Sequence, residues 1–204
     1  MPRNRLATFA LAALALAACG KDATAPASTQ LKPDEAQALA LGMAASGDAY
    51  SGAVAAPDVV TLSGSGATTF GPVTFTQAHP CPKGGMVTPN VTLTGSLDLT
   101  AHSLSLDLSG TETPRDCAYV VKAVTVTVNG NPNLAVAAHL AIVAGVPSGA
   151  QTFTQKGDFT WASSDGRSGS CTVDVTSSAD FARNLRTVSG TFCQQTIDIS
   201  GPLH

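Results

Sequence analysis

Five cysteines, four histidines and fourteen carboxylates are the residues of this 204-residue chain best suited to chemistry. Cys81, Cys117, Cys171 and Cys193 follow one another at spacings of 36, 54 and 22 residues. Structural zinc would call for a C-x-x-C knuckle or paired histidines, and neither is present. An even cysteine count reads instead as two disulfides, with three connectivities open. Local geometry favours Cys81–Cys117 and Cys171–Cys193. Residues 171–176 and 188–199 read as adjacent strands joined by a loop around 177–187, which sets 171 opposite 193. The first pair would clamp the base of a hairpin spanning 91–108. His79 adjoins Pro80-Cys81 and could meet Asp116 across that disulfide. His102 falls in a turn. His139 stands alone in an apolar strand and reads as a hydrogen-bonded core histidine. Glutamate occurs only at Glu35 and Glu112. Gly166-Arg167-Ser168-Gly169-Ser170 lacks the spacing of a nucleophile elbow, and no phosphate- or dinucleotide-binding glycine pattern occurs. The sequence therefore assigns no catalytic, cofactor or metal residue.

The fifth cysteine has a different setting. Arg3 and Arg5 precede an apolar run, Leu6 to Ala15, which is too short for a membrane span. Leu16-Ala17-Ala18-Cys19 closes that run. This order resembles the lipobox of bacterial lipoproteins. The resemblance implies cleavage before Cys19, diacylation of its thiol and anchoring through several acyl chains, each buried methylene adding about 0.8 kcal/mol. Gly20 follows the cysteine where an aspartate would favour inner-membrane retention. The implied location is the outer membrane, with the leaflet unspecified.

The expected organisation is a signal peptide at 1–18, an acylated cysteine and flexible tether at 19–30, and one β-rich domain at 31–204. Without the signal the chain keeps nine Lys/Arg against fourteen Asp/Glu, a net charge of −5. No basic cluster exists, which argues against nucleic-acid binding. Aromatic residues make up 5% of the chain, too few for a sugar-binding platform or the girdles of a membrane barrel.

Residues 33–46 read as a helix. Pro33 suits its first position, Asp34 and Glu35 its positive end, and Ala36, Leu39, Ala40 and Met43 share a face. Gly42 and the poor N-cap Lys32 weaken the pattern. A short strand is expected at most over 59–62. From Thr68 onward period-two alternation dominates, as in Val91/Leu93, Leu104/Leu106/Leu108, Phe153/Phe159/Trp161 and Cys171/Val173/Val175. Residues 118–128 and 134–143 are apolar on both parities, and Asn129-Gly130-Asn131-Pro132-Asn133 reads as the turn between them. Such strands would be buried on both faces, with the helix covering the second. The expected fold is mainly β: an antiparallel meander of about seven or eight strands, a curved sheet or barrel, with one N-terminal helix packed on it.

These features predict a membrane-anchored envelope protein with a non-enzymatic binding or scaffolding domain. Its partner would be an envelope protein or a small apolar ligand. A carrier enclosing a lipid within the curved sheet is the alternative, and a hydrolase is a distant third.

Overall fold

The computed structural model of the chain describes residues 29–46 and 66–203. The signal, Cys19, most of the tether and the expected strand over 59–62 lie outside the described residues.

The helix, α1, spans Pro33–Ser46 as the sequence predicts. Lys32 serves at its N-cap because Glu35 compensates: the Lys32 backbone N–H donates to Glu35 Oε2 at 3.0 Å, half of a capping box. Ala36 N–H then donates to Lys32 O, opening the helical ladder. Ala36, Leu39, Ala40 and Met43 are all buried, so the predicted face is the packed one. Gly42 has a packing reason. A Cβ there would lie 3.1 Å from the Tyr119 ring, so the missing side chain lets that ring approach the helix.

Eleven strands follow. They are β1 (Ala67–Phe75), β2 (His79–Pro80), β3 (Met86–Asp98), β4 (Ser103–Arg115), β5 (Cys117–Val121), β6 (Val124–Val143), β7 (Val146–Pro147), β8 (Gln151–Ser163), β9 (Ser168–Asp180), β10 (Leu185–Phe192) and β11 (Gln195–Pro202). All pair antiparallel in one sheet of order β1-β3-β4-β6-β8-β9-β10-β11, with β2 on β3, and β5 and β7 on β6. The meander is open, with β1 and β11 at its edges. The eight strands of the main path match the expected number, and the open order decides for a sheet over a barrel.

Alternation places the core on one face, here the inner face. Cys171, Val173, Val175 and Ser177 of β9 are buried there, while Thr172 and Asp174 are exposed. One large cluster joins α1 to Val126, Val128, Phe159, Trp161, Val173, Phe192 and Ile197. A smaller one holds Val91, Leu93, Leu106, Leu108, Val136 and Phe153. Between them lies a buried polar pair, Gln155 Nε2 donating to Glu112 Oε1.

Three sequence expectations are corrected. The chain does not reverse at 129–133. That stretch is a bulge inside the 20-residue β6, where the register against β8 shifts between Gly130 and Leu134. Pro132 is tolerated in a central strand because it sits in the bulge, where no ladder donor is needed. The reversal comes earlier, at Lys122-Ala123, so 118–128 is a hairpin of β5 and β6 rather than one strand. Second, β6 is not buried on both faces: Ala135, Ala137 and His139 are exposed. Alanine counts as apolar but costs little at an open position, and it hid the alternation. The helix therefore covers the inner face, against β5, β10 and β11, and not a second one. Third, residues 188–199 form two strands. Cys193 (φ 52°) and Gln194 (φ 65°) make a two-residue turn with the positive φ pair typical of tight hairpins.

Both disulfides form as expected, Cys81–Cys117 and Cys171–Cys193. The second joins the β10–β11 turn to β9, where Cys193 N–H also donates to Thr172 O at 3.0 Å. Peptide mapping of the non-reduced protein should return these two pairs, and a Cys81–Cys171 or Cys81–Cys193 peptide would contradict the strand order. Replacing both Cys171 and Cys193 by serine should lower unfolding stability in urea by about 3 kcal/mol.

Candidate functional site

Two places on the domain gather polar side chains into defined geometry. The first lies where the incoming chain meets the β8–β9 turn. Arg167 donates through Nη1 and Nη2 to the two carboxylate oxygens of Glu35, both at 2.8 Å, and through Nε to Asp165 Oδ2 at 2.8 Å. The bidentate fork holds both position and angle of the helix start. The Arg167 and Glu35 side chains are 11% and 7% exposed, so the pair is largely shielded from water. Gln195 Nε2 adds a bond to the carbonyl of buried Leu31. Gly169 completes the fit, because any Cβ there would collide with the Thr29 carbonyl oxygen. The segment Gly166–Ser170 is thus not a free loop: Arg167 ends the turn and Ser168–Ser170 begin β9.

Electrostatics follow from this geometry. Hydrogen bonds from Arg167 chiefly hold the Glu35 carboxyl below its ordinary value, with help from the Lys32 N–H and against the opposing effect of burial. Asp165, bonded by Arg167 and by the Ser163 hydroxyl, is lowered to about 2. The guanidinium is raised further above its already high value by Glu35 first and Asp165 second.

The second place is on the outer face, at the centre of the sheet. His139 on β6 pairs in register with Asp107 on β4 and Thr152 on β8. Its Nδ1 lies 2.8 Å from Asp107 Oδ1. One residue pair further along, Ser109, Ala137 and Thr154 stand side by side. The short Ala137 side chain leaves a shallow depression of about 300 Å³ between these neighbours. Thr154 Oγ1 donates to the Ala137 carbonyl at 3.3 Å.

His139 is therefore corrected from a core histidine to an exposed one, 47% accessible and paired with Asp107. Its parity with Ala135 and Ala137 was the signal that could have placed it. His102 lies in the β3–β4 turn, exposed, as expected. His79 is half-buried, and burial pushes its pKa down. It is not brought into a cluster with Asp116, which instead binds Asn129 through backbone and side chain. Among the described residues no group of three or more His, Cys, Asp or Glu could hold a metal ion. Arg167 was missed by sequence reasoning, since its partner lies 132 residues away and no local pattern marks it.

No protein-family model, no curated protein and no solved structure matches the chain.

Arg167→Ala would leave Glu35 shielded and unpaired, and should destabilise the domain by about 3 kcal/mol at pH 7 in urea unfolding. The pH dependence has a definite sign. A carboxyl whose folded pKa is depressed contributes stability above its unfolded value, 4.5 here, and loses it as pH falls through the folded value. The gap between wild type and Arg167→Ala should thus be full at pH 6–7 and narrow below about pH 4. A gap unchanged down to pH 2.5 would contradict the assignment.

Proposed function

We propose that this chain is an exported lipoprotein of the bacterial envelope. Its signal at 1–18 is removed, Cys19 carries the acyl anchor (palmitate among its acyl chains), and the outer membrane holds it. The β domain then serves as a non-enzymatic binding or scaffolding module. The observation that carries this reading is the division of labour among five cysteines. Four are consumed in two disulfides, as suits an oxidising compartment, and the fifth stands in the Leu16-Ala17-Ala18-Cys19 sequence. A polar tether, 20–30, separates that cysteine from the clasped start of the domain.

Binding rather than carriage is supported by where the apolar surface goes. Helix α1 lies on the inner face, with Leu39, Ala40 and Met43 fully packed against the larger cluster. A lipid held in the sheet would have to take that place. The outer face, by contrast, is open, polar and broad, and it carries the His139–Asp107 depression. Among the described residues no helix is long and apolar enough to cross a membrane. Membrane attachment is accordingly assigned to Cys19.

Two measurements test the reading. Labelled palmitate should be incorporated by the full-length chain in a bacterial host and lost in Cys19→Ser, which should also move from the membrane to the soluble fraction. Persistent membrane association of Cys19→Ser would refute the anchor. Native mass spectrometry of the Cys19→Ser protein should give a clean apo mass. A stoichiometric apolar adduct would transfer the assignment to a hydrophobic carrier.

A further inference from the structure

The depression on β4, β6 and β8 has a lining that excludes most ligands. A metal ion would find one free imidazole nitrogen and one carboxylate, with no third donor of the usual kinds among the described residues. An anion would meet Asp107, and neither lysine nor arginine lines the site. Acyl transfer needs aimed donors for an oxyanion, yet β6 is an interior strand whose backbone N–H groups are committed to its two neighbours. A purely apolar ligand would strip water from His139, Asp107, Ser109 and Thr152 without replacing it.

What remains is defined by the hydrogen-bond inventory. An ionised carboxylate only accepts, so His139 Nδ1–H donates to Asp107 and the neutral ring presents Nε2 as an acceptor. Thr154 spends its hydroxyl hydrogen on the Ala137 carbonyl and keeps lone pairs to accept with. Asp107 has a second carboxylate oxygen, and Ser109 and Thr152 can each give or take a hydrogen. Acceptors and two-way hydroxyls surround the Ala137 methyl. Vicinal hydroxyls on a ring with a C–H face answer that pattern. The volume, about 300 Å³, sits at the small end of the roughly 300–1,000 Å³ usual for small-molecule sites, which suits a single ring.

We propose that this depression is a subsite for one sugar unit of a neutral glycan. The proposal rests on the binding-module reading above and adds the ligand class. Its openness and lack of an aromatic platform make it a weak, single-unit subsite, effective when a polymer presents many copies of the same unit.

The test is an amide NMR titration of the mature chain carrying Cys19→Ser. The neutral probes are triacetylchitotriose and maltotriose, and sodium phosphate is the anionic control. At least one trisaccharide should produce saturable shifts confined to 107–109, 137–139 and 152–154, with a Kd near 1 mM. His139→Ala and Asp107→Asn, both at exposed positions, should keep the dispersed spectrum and weaken binding about tenfold. Absence of shifts with both sugars at about 20 mM, shifts elsewhere, affinity unchanged in both variants, or displacement by phosphate would each overturn the proposal. Palmitate labelling of Cys19 is read separately, so failure here is distinguishable from failure of the envelope assignment.

Discussion

A sheet that gathers its apolar side chains on one face must have that face covered, and in this domain the covering element is held by an ion pair. Helix α1 is Ala-rich, and its packed side chains are mostly small. Such a helix contributes limited apolar area, so its placement depends strongly on what fixes its ends. Glu35 does two things at once. It accepts the Lys32 N–H to start the helix, and it receives the Arg167 fork that fastens that start to the β8–β9 turn. With both partners largely shielded, losing either one leaves a charge in a poorly solvated place. Local helix initiation and long-range docking therefore stand or fall together.

The covalent clamps complement this arrangement. Cys81–Cys117 ties the β2–β3 connection to the start of β5, and Cys171–Cys193 ties β9 to the β10–β11 turn. Both buried ends, Cys117 and Cys171, lie in the cluster that α1 packs against. The result is one reinforced half of the sheet, with bulges and turns elsewhere free to shape the outer face. The outer face needs no apolar content for stability, and its residues are available for recognition.

Much of this architecture was legible in the sequence. Strand alternation, the helix face and both disulfides could be read because each depends on neighbours within a few residues or on one hairpin. The parity of Phe153, Phe159 and Trp161 placed them on the inner face, where they are. The failures share a cause: compositional cues with two meanings. Asn-Gly-Asn-Pro-Asn signals a chain reversal in most contexts, yet here β8 continues pairing on both sides of it and the strand absorbs it as a bulge. Alanines 135, 137 and 141 look apolar, and that reading buried a strand whose outer side is open and carried His139 inward with it.

The candidate sites were less legible than the fold. The Glu35–Arg167 pair and the His139–Asp107 pair join residues far apart in the chain, brought together by helix docking and strand register. Cys19 is the opposite case, written entirely in local sequence. The central claim is that α1 belongs to the same cooperative unit as the sheet. Hydrogen–deuterium exchange with mass spectrometry tests it directly. The account predicts that amides of 37–45 at pH 7 are protected to within about tenfold of those in the centre of β6. Rapid exchange of α1 with the sheet still protected would show an undocked helix, and would contradict the clasp and the closed inner face built on it.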